Sequence, residues 1–263
     1  MTLAEPRLIV GDPASLMSSD VIAVVAHFDR GGVLDASSRL LLEGLEDCGV
    51  PSVLVTTAPA GDSEIAAWEV PESTIVFARE NRGYDFGSWA VALRALPDLA
   101  QKTVILTNNS MIGPFGSMRP ILDAALTSDA DLWAVTASLQ IRPHLQSFFV
   151  RFAPGVLANP AIARHFRSVR HLRRKMAIVR KYEIGLSDVA RRARLSTALW
   201  RSPTALGVGF DNPTTRGWKE LLDSGFPFIK RTILHDERVL VDEETLSDAV
   251  RDRYGVDLAD YQS

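Results

Sequence analysis

Ten consecutive residues, Glu80-Asn81-Arg82-Gly83-Tyr84-Asp85-Phe86-Gly87-Ser88-Trp89, bring two glycines and five polar or charged side chains together between two apolar runs. The β-branched run Ser73 to Ala78 precedes them, and the helix-like run Trp89 to Leu96 follows. In open α/β sheets, ligands bind where a strand ends and a helix starts. A glycine-bearing turn over Asn81 to Gly87 frees backbone N–H groups near a helix start, which suits anions or sugar hydroxyls. Arg82 suits a phosphate and Asp85 a ribose or hexose hydroxyl. Asn81 and Asp85 could equally cap local turns.

A second polar cluster, Asn108-Asn109-Ser110, ends the next strand-like run. A carboxylate there would be a divalent-metal ligand. The neutral oxygen of Asn109 is a weaker one, so a metal (Mg or Mn) is not favoured and would rest on Asn109. His27 and Asp29 close the first strand-like run and should approach the same sheet edge. The alternative for His27 is a structural, hydrogen-bonded histidine.

Three further segments mix polar and aromatic residues: His144 to Phe149, Lys181 to Ser187, and Asp211 to Thr214 with Trp218. Glu183 is the candidate general base, since an inverting sugar transfer needs a carboxylate at the acceptor hydroxyl. Pairing with the surrounding arginines is the alternative. The run Phe226 to Arg231 reads as packing followed by two cations. His144, Gln146, Arg173, Arg174 and Lys230 are the candidates for holding an acceptor or its phosphates. There is no Walker-type loop, no Gly-x-Gly-x-x-Gly after the first strand and no Gly-x-Ser-x-Gly elbow. Their absence argues against a P-loop enzyme, a dinucleotide oxidoreductase and an α/β-hydrolase.

The elements that must hold these groups alternate. Strands are expected at Val21 to Ala26, Ser52 to Thr57, Thr74 to Ala78, Thr103 to Thr107 and Leu132 to Thr136, with a sixth, antiparallel strand at Ser147 to Phe152. Helices are expected at Leu34 to Cys48, Ile65 to Trp68, Trp89 to Leu96, Pro120 to Leu126, Trp218 to Leu222 and Glu243 to Arg253. Two or three more should lie within Asn159 to Arg194. Alternating strands and helices predict an α/β fold, a mostly parallel sheet flanked by helices with a helical C-terminal part.

The 263 residues, 46% hydrophobic and 23% charged, fit one large domain with its own core. The lone Cys48 excludes an internal disulfide and fits a reducing compartment. No apolar run is long enough to span a membrane, so a cytoplasmic protein is expected. The net charge of −3 hides an asymmetry: residues 164–194 carry 11 Arg or Lys against Glu183 and Asp188, a local +9. This block suits phosphates of a nucleotide, a lipid pyrophosphate or an anionic bilayer at the inner face of the membrane; a solvated helical face is the alternative. Nucleic acid is not expected, because aromatic residues do not interleave the block.

Eight segments in order resemble the rhamnan synthesis F family of bacterial polysaccharide-assembly proteins. They are Val25 to Asp29, Glu80 to Trp89, Asn109 to Pro114, Asp129 to Thr136, His144 to Phe149, Tyr182 to Ser187, Asn212 to Thr214 and Gly225 to Arg231. The resemblance implies a single glycosyltransferase-A-like (Rossmann-like) domain over 1–263. Residues 20–140 would bind a nucleotide sugar, and the helix-rich 141–263 would face the acceptor. It implies transfer of a deoxyhexose, with dTDP-rhamnose the favoured donor, onto a surface polysaccharide or lipid-linked glycan. His27, Asp29, Asn81, Arg82, Gly83, Asp85, Asn108, Asn109 and Ser110 would then bind the donor, and Glu183 or Asp236 would take the acceptor proton. Glycosyltransferase-A enzymes usually carry an Asp-x-Asp metal motif after the fourth strand. The family pattern there resembles Asn-Asp-Ser, against Asn108-Asn109-Ser110 here. The change to Asn109 weakens the expectation of a metal and leaves Arg or Lys side chains to supply the charge. A non-catalytic saccharide-binding subunit and an unrelated nucleotidyltransferase are the competing readings.

Overall fold

The computed structural model describes residues 3–172, 174–235 and 241–262. One mixed sheet is built from β1 (Arg7–Val10), β2 (Val21–His27), β3 (Ser52–Thr56), β4 (Thr74–Ala78), β5 (Thr103–Asn108), β6 (Leu132–Ala134), β7 (Phe149–Phe152) and β8 (Thr197–Leu199). Their order across the sheet is β1-β4-β3-β2-β5-β7-β6-β8. β2 to β5 pair in parallel, as do β6 and β8, whereas β1 and β7 run against their neighbours. A mostly parallel sheet flanked by helices is the expected α/β class.

The central strands are apolar runs because both of their faces are covered. Ile22, Val24 and Ala26 of β2 face a layer containing α3 (Tyr84–Ala95) and α5 (Pro160–Arg167). Ala23 and Val25 face α1 (Ala36–Glu46) and α4 (Arg119–Leu126). A third core joins α8 (Trp218–Asp223) and α9 (Glu243–Tyr254) through Trp218, Leu222, Leu246 and Val250. The pair Met111–Ile112 with Ile229–Lys230 brings this C-terminal part back to the end of β5. Among the described residues no helix is long and apolar enough to cross a membrane.

Several expectations shift. The antiparallel strand exists but starts at Phe149, two residues late, because Ser147 is held in a turn by Glu183. The short helix, α2, spans Asp62–Ala66 and leaves Trp68 outside; Glu64 closes back on the Gly61 N–H and fixes its start. Residues 159–194 form α5, a short α6 (Lys175–Ile178), a π turn over Val179–Glu183 and α7 (Ile184–Arg192). β1 and β8 were not expected; they are edge strands of four and three residues, too short to show a period. β7 and β8 both come from 141–263, so that part completes the sheet as well as carrying helices.

Candidate functional site

The expected turn over Asn81 to Gly87 is corrected by the structure: it ends at Gly83. Gly83 caps α3 in the left-handed region (φ 85°), and Tyr84 follows at φ 53°. Asp85 to Ser88 therefore form the first helical turns, and Asp85 sits where a carboxylate favours the helix dipole. A buried arginine shapes this entrance. Arg79 donates from Nε to Ser88 Oγ (3.1 Å), from Nη1 to the Glu80 and Arg82 carbonyls (2.9 and 2.7 Å), and from Nη2 to the Tyr84 carbonyl (3.0 Å). Burial pulls its pKa down to about 10, opposed by the charge of Asp85. At Gly87 a Cβ would collide with the Arg82 carbonyl and lie 2.7 Å from the Arg79 guanidinium, so only glycine leaves room there. Trp89 then pins α3 to the sheet by donating to the Thr107 carbonyl (3.0 Å).

At the end of β5, Asn108 faces this helix start. Its Nδ2 donates to Asp85 Oδ2 (2.9 Å), while its Oδ1 accepts from the Ser110 N–H and hydroxyl (3.1 and 2.6 Å). Asn109 turns toward β2: it donates to the Phe28 carbonyl (3.0 Å) and accepts from the Phe28 N–H (3.3 Å). Beneath it lies Asp35, the N-cap of α1. Asp35 accepts from the Ser38 N–H and hydroxyl (3.1 and 2.7 Å) and from Arg231 Nη2 (2.9 Å). Burial alone would raise the Asp35 carboxyl, but neighbouring His27, Arg231 and Ser38 hold it well below the usual range. His27 is buried, its Nδ1 2.9 Å from Thr56 Oγ1 and its ring edge-on to Trp68. Its Nε2 lies 3.8 Å from Asp35, too far for a hydrogen bond.

These groups surround a cleft of about 870 Å³ at the C-terminal ends of the parallel strands. Of the residues expected on the donor side, His27, Asn81, Gly83, Asp85, Asn109 and Ser110 line it. Asn108 supports it through Asp85. Asp29 instead accepts from the Val33 N–H (3.2 Å), and Arg82 pairs with Glu80 (2.8 Å). Arg30, Tyr84, His171 and Arg231 also line the cleft and were not singled out from the sequence. Two of them sit in noticed segments, Tyr84 beside Gly83 and Arg231 as one of two terminal cations. Asp35 and Arg79 were readable only as a cap and a strand-end residue.

The acceptor-side expectations fall mostly outside this cleft. Glu183 Oε1 accepts from the Ser147 N–H and hydroxyl (both 3.0 Å). Gln146 donates to Asn212 Oδ1 (2.8 Å), which also accepts from Thr214, and Lys230 Nζ reaches Thr214 Oγ1 at 3.5 Å. Since Ser147 precedes β7, whose Phe149 pairs with Thr107, this cluster stands at the same sheet edge as Asn108. His144 lies apart, in a groove of about 610 Å³ with Ser187 and Arg191. Arg174 is exposed, and Arg173 and Asp236 lie outside the described residues. The π turn buries Tyr182 against Phe86 of α3, and the Tyr182 hydroxyl accepts from the Arg170 N–H (2.8 Å). That contact ties the basic block to the cleft next to His171.

A divalent metal does not suit this donor set. Asn109 uses its carboxamide on Phe28, and the nearest buried carboxylate, Asp35, is already held by Arg231. Among the described residues no three His, Cys, Asp or Glu side chains are grouped to hold a metal ion. What the cleft offers instead is two guanidinium groups, the N-terminal start of α3, and amide and hydroxyl side chains around one carboxylate.

The family model of rhamnan synthesis protein F matches residues 68–261. The virulence protein VirA of Vibrio anguillarum is 26% identical over 195 residues, 62% of each chain. The uncharacterized protein y4gN of Sinorhizobium fredii is 24% identical over 213 residues, 79% of this chain and 55% of the relative. The chain thus spans less than two thirds of these relatives' length. A crystal structure from Desulfovibrio desulfuricans G20, of a protein described as a nucleotide-diphospho-sugar transferase, superposes with a TM-score of 0.45 at 14% identity. That match covers 88% of this chain and 97% of the other, and it is too distant to bear on function.

Proposed function

We propose, on the premise that the chain belongs to the rhamnan synthesis protein F family, that it is a glycosyltransferase using a nucleoside diphosphate sugar. The observation that carries this reading is the Asp85–Asn108 pair, which joins a helix start and a strand end at the rim of one large cleft. Ligand sites of parallel sheets form at such junctions. The helix-start N–H groups and the cleft cations would receive the pyrophosphate, and Asp85 with Asn81 the sugar or ribose hydroxyls. The favoured donor is dTDP-rhamnose, and the acceptor a growing surface polysaccharide or lipid-linked glycan. If the transfer inverts the anomeric centre, Glu183 or Asp236 takes the acceptor proton, while the cleft's donors stabilise the departing diphosphate. Gln146, Lys230 and the polar residues around Asn212 would meet the acceptor. The exposed guanidiniums of Arg164, Arg167, Arg170 and Arg174 would hold the cytoplasmic protein against the inner, anionic membrane face.

The test is incubation of the chain with dTDP-, UDP- and GDP-sugars. Saturable binding of one, followed by release of its diphosphate on adding acceptor, is expected. Binding of none would overturn the reading. A non-catalytic saccharide-binding subunit is the second reading, favoured by the neutral Asn109 and by Glu183 being tied to Ser147. Any turnover of a nucleotide sugar, slow hydrolysis included, excludes it.

A further inference from the structure

At the rim of the cleft a guanidinium is paired with a buried carboxylate. Asn109 carries no charge, and both ends of its carboxamide are engaged by the Phe28 backbone. Asp35, 7% exposed at its side chain, accepts from Arg231 Nη2 at 2.9 Å. A dication drawn to Asp35 would have to displace that guanidinium. Arg231 also donates to the Asn109 carbonyl (3.4 Å), so it is fixed at two points on the edge where a donor's charged group must lie. Arg231 and Arg30 both line the cleft, and Asp85 is the only carboxylate among its lining residues. A guanidinium keeps its charge at any working pH, and its planar fork matches two phosphate oxygens at once.

We propose that Arg231, braced by Asp35 and joined by Arg30, carries the negative charge of the donor's pyrophosphate in this cleft, so that a nucleoside diphosphate binds without a divalent cation. This rests on the donor reading given above. Asp35 is then a positioning residue: it aims Arg231 and never touches the ligand.

The experiment is calorimetric titration of the chain with dTDP, UDP, GDP and inorganic pyrophosphate, in EDTA and again with millimolar Mg²⁺ or Mn²⁺. At least one nucleoside diphosphate should bind in EDTA within about threefold of its affinity with metal. Arg231→Gln should weaken that binding about tenfold or more, the loss expected for one charge-assisted contact. Arg30→Gln, on an exposed residue, provides an independent reading and should weaken binding about threefold. Affinity that rises tenfold or more with Mg²⁺ or Mn²⁺, as estimated on the same scale, overturns the proposal. So does unchanged binding in both variants. Failure of the donor reading alone looks different: no nucleoside diphosphate binds under either condition, while pyrophosphate still binds in EDTA and loses affinity in Arg231→Gln. If no probe binds at all, both readings fall.

Discussion

Asn108 at the end of β5 donates from Nδ2 to Asp85 Oδ2 at 2.9 Å, joining two polar motifs 23 residues apart into one wall of the cleft. The bond fixes which Asp85 oxygen faces the strand. A side chain held in this way is pre-organised for a ligand hydroxyl, because little rotamer freedom is left to lose on binding.

Asp85→Asn should therefore preserve the fold and impair the site. An amide can still pair with Asn108 but no longer accepts a charge-assisted hydrogen bond from a hydroxyl. Affinity for the nucleotide sugar should fall about tenfold or more. The melting temperature should move by no more than about 4 °C. Titration calorimetry beside a thermal melt reads both; unchanged affinity would remove Asp85 from the ligand's contacts.

Arg79 should matter to stability and site alike. Arg79→Met leaves the Glu80, Arg82 and Tyr84 carbonyls without their buried donor. These bonds are only partly buried, so water can replace some of them, and a loss of about 1–3 kcal/mol is expected in urea unfolding. Gly87→Ala should act on the same contact, because its Cβ would collide with the Arg82 carbonyl that Arg79 holds and with the guanidinium itself. In a double-mutant cycle the two losses should fall well short of additive. Additive losses would show that the glycine serves some other purpose.

Residue pattern reached the fold further than the site. β2 to β5 were legible because both faces are covered, and short apolar runs rich in β-branched residues read as buried strands. The start of α3 was misplaced from Trp89 because Gly83 allows the helix to begin in polar sequence, where periodicity is blind. The meeting of Asp85 with Asn108 was legible in outline, since both lie where parallel strands end. Arg79 was not, because an arginine closing a strand ordinarily reads as solvated. Asp35 and Arg231 are 196 residues apart, and no local pattern pairs them. The sequence marked Glu183 as a carboxylate in polar company; only packing revealed that it braces Ser147.

Asp35 supplies a pH signature. Its folded-state carboxyl lies well below the ordinary value near 4, because His27, Arg231 and Ser38 outweigh the burial that would raise it. A depressed carboxylate contributes stability that is fully present above the unfolded-state pKa and is lost as pH falls below it. Asp35→Asn keeps a capping side chain on Ser38 but removes the charge. Wild type should exceed the variant in stability at pH 7, with the gap narrowing from about pH 4 downward. Urea unfolding at a series of pH values measures it, and a gap independent of pH would assign the effect to shape instead of charge.

His165 acts in a higher pH window. It is buried among Phe86, Phe166 and Tyr182, and burial, aided by nearby Lys181 and opposed by a hydrogen bond with the Tyr182 backbone, lowers its pKa to about 4. The folded state thus holds the ring neutral, whereas the unfolded chain protonates it near 6.5. The unfolded state binds more protons between these values, so stability must fall as pH drops from about 6.5 toward 4. The shift corresponds to about 3 kcal/mol for this 7%-exposed residue. His165→Phe, which places another ring among the aromatics, should flatten that slope while costing little at pH 7. Because the same cluster holds Tyr182 and through it the loop leading to His171, acid should also weaken ligand binding in wild type before the chain unfolds. Ligand titrations at pH 7 and pH 5 on both proteins test this: an equal loss of affinity in wild type and variant would detach the cleft from His165.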